Sequence, residues 1–273
     1  MTQPAIQFAI NRMVAPRLPL DDFLKLARQA GATAVEVRND VEGREFADGM
    51  TARDLKSRIA DAGLSVASIN ALQRFNDWTP ERAQEAEALF RYAAELGAPG
   101  IVMCPVIDLH HGWSKTELAA KLRQSLEAIK ALASDTGVIG YVEPLGMAGS
   151  TLQNQHIAAE AIGDVNGAGP LQICYDTFQY YRCRDQKLFP ELIGLVHVSG
   201  ISRTDLAPEA LTEPDRGFVD GSDITDTGGQ LKRIVASGYR GYVSMEPFDP
   251  KIHQLEDASE PLSKSFAYLR GFL

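Results

Sequence analysis

The sequence has few cysteines, no long apolar run and no excess of positive charge, and each absence excludes a class of protein. Cysteine occurs three times among 273 residues, without the CxxC spacing of a cysteine zinc site. A disulfide framework is therefore not expected, and we expect a reducing, cytoplasmic location. No segment approaches the roughly 18 consecutive apolar residues of a membrane helix, so a membrane partner is not expected either.

The N-terminal segment and the charge balance remove two further classes. Residues 1–13 read MTQPAIQFAINRM and lack the basic segment, long apolar core and small-residue cleavage site of a secretion signal. Acidic residues outnumber basic ones by 36 to 27, which gives a formal net charge of −9. Proteins that bind the phosphate backbone need the opposite balance, so nucleic acid is not expected as a partner.

Short apolar segments alternate along the whole chain with longer amphipathic ones. The short segments are typical of buried strands, and the long ones repeat apolar residues with a helical period. Capping residues such as Thr79 and Ser114 mark helix starts. The predicted strands are residues 6–10, 34–37, 65–69, 100–103, 138–142, 171–175, 195–198 and 242–245. The predicted helices are residues 20–30, 51–63, 79–97, 114–134, 153–162, 185–192, 227–237 and 261–272.

Eight strand-plus-helix units without a change of composition predict a closed barrel. Parallel strands joined by helices either form an open sheet or close, and a (β/α)₈ TIM barrel takes roughly 250 residues. An open doubly wound sheet is the alternative, but no Gly-x-Gly-x-x-Gly follows any predicted strand. We therefore expect an α/β protein in which residues 1–273 form a single TIM-barrel domain. Residues 199–226 form its longest loop, and loops of that length are usually functional or disordered.

Four polar residues end or follow the last four predicted strands. Active sites of TIM barrels lie at the carboxyl ends of the strands, so these side chains should converge at one mouth. Three buried carboxylates would repel one another unless a cation compensates their charge. Three oxygen ligands and one nitrogen ligand suit one divalent ion, and Mn²⁺, Mg²⁺, Co²⁺ and Zn²⁺ all remain open. The four residues are Glu143, Asp176, His197 and Glu246.

Several short motifs, in order from the second predicted strand to the eighth, resemble one family. The motifs are VEVR at 35–38, INAL at 69–72 with FN at 75–76, VE at 142–143, DTF at 176–178, His197, LTEPDR at 211–216 and VSME at 243–246. On these motifs the sequence is similar to the xylose-isomerase-like barrels, which include sugar isomerases, sugar epimerases and the endonuclease IV group, and within them to the inosose (2-keto-myo-inositol) isomerases.

This resemblance implies a function for the strand-end residues. It implies that Glu143, Asp176, His197 and Glu246 bind one divalent metal, and that Glu143 and Glu246 are also the catalytic acid and base. The expected substrate is a small ketose or keto-inositol, which would place the protein in carbohydrate metabolism, specifically inositol catabolism. Members of the family are often oligomeric, so a homo-oligomer is a further expectation.

The expected substrate contacts combine features of different relatives. Many relatives have a histidine three residues after the aspartate of strand six, whereas this chain has Gln179, which can hydrogen-bond a hydroxyl but cannot carry a proton at neutral pH. Arg203 lies six residues after His197, as in ketose epimerases, where the arginine holds substrate oxygens. Arg216 is a second candidate for a polyol or acid group, and Asn11 follows the first strand at a mouth position.

Alternative functions share the same barrel. The leading hypothesis is a metal-dependent isomerase or epimerase that moves a proton through an enediolate. A dehydratase of inosose or dehydroshikimate would use the same metal site to expel water. A DNA-repair endonuclease would need more histidines than the five present and a basic groove. A barrel that only binds sugars would be suggested by loss of a glutamate, and both Glu143 and Glu246 are present.

Overall fold

The computed structural model, which describes residues 6–273, is a closed barrel of eight parallel strands. Each strand pairs with its neighbours in chain order, and β8 pairs with β1 to close the barrel. The TIM-barrel prediction is therefore confirmed; residues 1–5 of the predicted domain lie outside the described residues. The strands are β1 (Gln7–Asn11), β2 (Ala34–Arg38), β3 (Ser65–Gln73), β4 (Gly100–Cys104), β5 (Ile139–Val142), β6 (Leu171–Asp176), β7 (Ile193–Val198) and β8 (Tyr242–Met245).

Within residues 6–273, eight α-helices surround the barrel and bury their apolar faces against the outside of the strands. They are α1 (Leu20–Gln29), α2 (Ala52–Asp61), α3 (Pro80–Leu96), α4 (Lys115–Thr136), α5 (Gln155–Asp164), α6 (Thr177–Arg182), α7 (Thr227–Ala236) and α8 (Ser259–Arg270). The main core is the layer between helices and strands, as the helical period of the sequence predicts. Across residues 6–273 the structure contains no helix long and apolar enough to cross a membrane.

One predicted helix is wrong. We expected residues 185–192 to be helical, but the helix after β6 is α6, which begins directly at the strand end. The Asp176 side chain accepts hydrogen bonds from the N–H groups of Phe178 and Gln179 and so caps α6. In the predicted segment only Pro190–Leu192 form a single 3₁₀ turn, because the proline starts a turn there and no amphipathic face continues it.

Two side chains of the β5 segment occupy successive layers of the barrel interior. Successive side chains on a strand point to opposite faces, so Tyr141 and Glu143 of the β5 segment both point inward. The Tyr141 ring packs among interior side chains of neighbouring strands, and the barrel narrows around it at Gly100 and Gly194, where a Cβ would lie 2.3 and 2.5 Å from the ring. Glu143 lies one layer further along the barrel interior, toward the carboxyl ends of the strands.

The close approach of Gly100 to Tyr141 makes a stability prediction. A methyl group on Gly100 would lie 2.3 Å from the ring and 2.7 Å from the Ile139 carbonyl oxygen. Overpacking of this kind costs about 1–3 kcal/mol, so Gly100→Ala should lower the Tm by several degrees. Gly163, in α5, has no atom within 4 Å of its added Cβ, and Gly163→Ala should stabilise by up to about 1 kcal/mol.

Thermal and urea denaturation of the two variants beside the parent protein provide the measurement. Equal melting temperatures for Gly100→Ala and Gly163→Ala would show that Tyr141 can move away from the added methyl group.

Candidate active site

Four ligand-type side chains converge at the carboxyl end of the barrel, as the strand-end pattern predicts. One ligand atom from each lies within 4.8 Å of the other three, and all four residues are buried. The residues Glu143 and Glu246 both precede a proline, which favours extended backbone, and their N–H groups continue the ladders of β4 and β7. The alternation of each strand therefore extends to the carboxylate. The set is Glu143, Asp176, His197 and Glu246.

The two ring nitrogens of His197 face different partners. Its Nδ1 lies 2.9 Å from Glu143 and 3.2 Å from Glu246, whereas its Nε2 lies 3.1 Å from both oxygens of Glu36. Glu36 is fully buried and also accepts a hydrogen bond of 2.7 Å from Ser244. An Nε2–H bound to Glu36 would fix the ring and leave the Nδ1 lone pair toward the carboxylates, which is the arrangement of a metal-binding histidine.

Glu246 is held by four side-chain donors. Its Oε1 accepts from the amides of Asn11 and Asn70, at 3.1 and 3.2 Å, and from Arg38 at 3.1 Å. Its Oε2 accepts from Arg216 at 3.0 Å. Burial raises the pKa of Glu246, but the charge and hydrogen bond of His197 and the charges of Arg216 and Arg38 outweigh burial and lower the pKa to about 2. This carboxylate is therefore both ionised and fixed in position.

Asp176 divides its two oxygens between a helix and an arginine. Oδ1 caps α6, and Oδ2 accepts a hydrogen bond of 2.6 Å from Arg216. Burial outweighs the charge of Arg216 and raises the pKa of Asp176 to about 7, with the nearby Glu143 and Glu246 adding to the rise. The Asp176 carboxyl group is therefore only partly ionised near neutral pH, and a nearby positive charge would favour its ionised form.

A count of the buried charges shows what the site lacks. Without an ion, burial lowers the pKa of His197, but the ionisable groups around the ring, including Glu246, Glu36 and Glu143, raise it well above its ordinary value, so the imidazole itself carries a proton. If a cation takes the place of that proton, four carboxylates, two guanidinium groups and a neutral imidazole carry a charge of −2, which one divalent cation balances. Three carboxylates and the Nδ1 of the imidazole supply donor atoms that such an ion accepts. The residues present thus fit a divalent metal. The charged groups counted are Glu36, Glu143, Asp176, Glu246, Arg38 and Arg216.

Beside the carboxylates lies a cavity of about 160 Å³, the volume of roughly five water molecules. Its polar side includes Glu143, Glu246, Gln179 and Arg216, and its apolar side is formed by Ile107, Leu145, Met147 and Phe248. Wider grooves of up to 660 Å³ lie elsewhere on the surface, for example between α1 and α2. The 160 Å³ cavity is the one beside the buried carboxylates, and its size suits a small polar substrate.

The four residues expected to contact substrate occupy different places. Gln179 and Arg216 line the cavity. Asn11 is buried behind it and donates to Glu246. Arg203 does not line the cavity; its side chain is 47% exposed and pairs with Asp205 and Asp215. The long loop of residues 199–226 thus brings Arg216, rather than Arg203, against the carboxylates.

Some site residues were not assigned a role from the sequence. Arg38 and Asn70 belong to the VEVR and INAL motifs and line the cavity, but no spacing rule connects them with Glu246, more than 170 residues away. Phe248 stacks on the guanidinium of Arg216, with 4.8 Å between the guanidinium carbon and the ring centroid. Its position two residues after Glu246 is the one sequence signal that could have found it.

The comparisons with known proteins agree with this architecture. The sequence model of the family described as xylose isomerase-like TIM barrel matches residues 24–271. The chain belongs to this family. The family resemblance of the motifs is therefore confirmed, while no curated protein matches the chain.

Several solved proteins are similar to this chain in structure. A xylose isomerase domain protein from Salmonella typhimurium has a TM-score of 0.85 at 28% identity, with 99% of this chain and all of that one covered. The IolI protein, solved with a bound zinc atom, has a TM-score of 0.84 at 20% identity over 97% and 96% of the two chains. An L-ribulose 3-epimerase has a TM-score of 0.73 at 19% identity over 98% and 95%.

Proposed function

We propose that the protein is a divalent-metal-dependent isomerase or epimerase of a small ketose or keto-inositol, which moves a proton through an enediolate. One observation carries the proposal: the carboxylates of Glu143 and Glu246 both approach the His197 Nδ1, at 2.9 and 3.2 Å, and both residues line the 160 Å³ cavity. Two carboxylates beside one small cavity can remove a proton from a bound carbon and return it.

The metal would be held by Glu143, Asp176, His197 through Nδ1, and Glu246. When bound, a divalent cation polarises a carbonyl oxygen and so acidifies the adjacent C–H group. The chain's own part is to hold the donors in place. Arg216 connects Asp176 with Glu246, at 2.6 and 3.0 Å, and Glu36 sets the orientation of the imidazole.

Gln179 and Arg216 are the proposed substrate contacts within the cavity. The Gln179 oxygen accepts from the Gly146 N–H and its nitrogen donates to Glu213, which leaves one amide hydrogen and a lone pair for a hydroxyl group. Asn11, also predicted to contact substrate, would act on it indirectly, through its hydrogen bond to Glu246. Arg203 stays a prediction, since its pairs with Asp205 and Asp215 would have to open first.

Two of the structurally similar proteins also support the proposal. The neighbours include an IolI protein with zinc and an L-ribulose 3-epimerase, which supports a sugar substrate and a metal for this chain. Which of Mn²⁺, Mg²⁺, Co²⁺ or Zn²⁺ is bound, the role in inositol catabolism, the cytoplasmic location and the homo-oligomer stay predictions.

Solvent proton exchange tests the proposal. Metal content of the purified protein is measured first, and the protein is then incubated in heavy water with inososes and ketohexoses. An isomerase or epimerase incorporates deuterium into a product of otherwise unchanged composition. A dehydratase instead releases water and forms an unsaturated carbonyl compound with a new ultraviolet absorbance. A protein that binds no divalent ion and exchanges no substrate proton would contradict the proposal.

A further inference from the structure

The two proposed acid–base carboxylates are held by different kinds of donor. Glu246 accepts from two guanidinium groups and two amides. Apart from its contact with the His197 Nδ1, which Glu246 shares, Glu143 accepts from two thiols: Cys104 Sγ lies 3.4 Å from its Oε2, and Cys174 Sγ lies 3.8 Å from its Oε1. Hydrogen bonds from charged donors are about twice as strong as those from neutral ones, so apart from His197 the donors that hold Glu143 are the weaker set.

Strand geometry places both thiols inside the barrel beside Glu143. Cys104 ends β4 and Cys174 lies two residues before Asp176 on β6, so β5, which leads into Glu143, runs between them. Both cysteines are buried, at 7% and 0% exposure, and they pack with Tyr141 and Leu195 in the barrel interior. The two oxygens of the Glu143 carboxylate therefore each contact one thiol, Oε2 that of Cys104 on β4 and Oε1 that of Cys174 on β6.

From this geometry we infer that Cys104 and Cys174 are positioning residues that hold the Glu143 carboxylate for proton transfer. The inference rests on the proposed function for its kinetic consequence, although the two hydrogen bonds do not depend on it. A neutral S–H group fixes the direction of the carboxylate without neutralising its charge, so Glu143 keeps its ability to bind a cation and accept a proton. The thiols touch neither the substrate contact Gln179 nor Arg216 in the hydrogen bonds of the structure.

Kinetics of variants test the consequence. Each of Cys104→Ala and Cys174→Ala should lower kcat for proton exchange about three- to tenfold, the value of one modest hydrogen bond, with KM unchanged. Cys104→Ser and Cys174→Ser keep a donor and should restore kcat. Cys183 donates instead to the backbone oxygen of Tyr180, so Cys183→Ala is the matched control and should leave kcat unchanged. Parent-like kcat in both alanine variants, at equal melting temperature, would overturn the inference.

Infrared spectroscopy tests the hydrogen bonds themselves, whatever the activity. The S–H stretching bands of Cys104 and Cys174 are assigned by their loss in the alanine variants. Both bands should shift to higher frequency in Glu143→Gln, because a neutral amide is a weaker acceptor than a carboxylate, while the Cys183 band stays in place. If either assigned band does not respond, the pair of thiol contacts is wrong. Absence of exchange in the parent protein would instead contradict the proposed function and leave the infrared result valid.

Discussion

Glu143→Gln and Glu246→Gln should each reduce proton exchange with solvent by about 10²- to 10⁴-fold, the usual contribution of a positioned acid or base. Glutamine keeps the size of the side chain and can still accept hydrogen bonds from the surrounding donors. It cannot take up a proton at neutral pH. Deuterium incorporation into substrate, followed by NMR or mass spectrometry, measures the loss.

The two variants also separate two mechanisms. If both carboxylates act, each single substitution blocks one side of the exchange, and the double variant should be little worse than either single one. Glu127→Gln, on the exposed face of α4, is the matched control and should exchange at the parent rate. Near-parent exchange in Glu143→Gln or in Glu246→Gln would contradict the two-carboxylate assignment.

Asp176→Asn should weaken divalent-metal binding at least 10- to 100-fold, the loss typical even of groups that only support a metal ligand. Asparagine can still cap α6 through its oxygen, and Arg216 keeps its contacts with Glu246 and Glu213. The new amide nitrogen would face the Arg216 Nη2 that now donates to Oδ2, donor against donor, so the metal-free protein should lose some stability. Titration calorimetry with Mn²⁺ and with Zn²⁺ measures the affinity.

Thermal melts with and without metal provide the second readout for Asp176→Asn. A ligand at 100 times its Kd stabilises a protein by about 2.7 kcal/mol, so the parent Tm should rise with metal and the variant Tm should hardly change. Asp164→Asn is the control, since Asp164 pairs with Arg123 on the surface. An unchanged Mn²⁺ or Zn²⁺ affinity in Asp176→Asn would remove this residue from the metal set.

Local periodicity was sufficient to predict the barrel and the convergence of its strand ends. In a closed parallel barrel the strand ends must meet at one mouth, so the polar residues at the carboxyl ends of β5, β6 and β8 had to lie near one another. His197, inside β7, was found because an imidazole interrupts a strongly apolar strand. These inferences needed only the order of elements and the direction of each strand.

The remainder of the site depends on contacts across the barrel, and no periodic pattern in the sequence indicates which side chains make them. Arg38 reaches Glu246 because β2 and β8 both flank β1, and side-chain length rather than spacing decides the contact. The helix after β6 was misplaced for a related reason. Its start depends on the single side chain of Asp176, and six residues are too few for an amphipathic pattern.

The double role of Asp176 has a consequence for engineering. Loops at the mouth of such barrels can be varied widely while the strands are kept. Here the first turn of α6 and the Asp176 carboxylate orient each other through two N–H groups, and Gln179 extends from the same short helix into the cavity. A chimera that exchanges residues 177–182 alone keeps these hydrogen bonds only if the new segment also begins a helix directly at the strand end, so grafting between relatives should transfer strand and helix together.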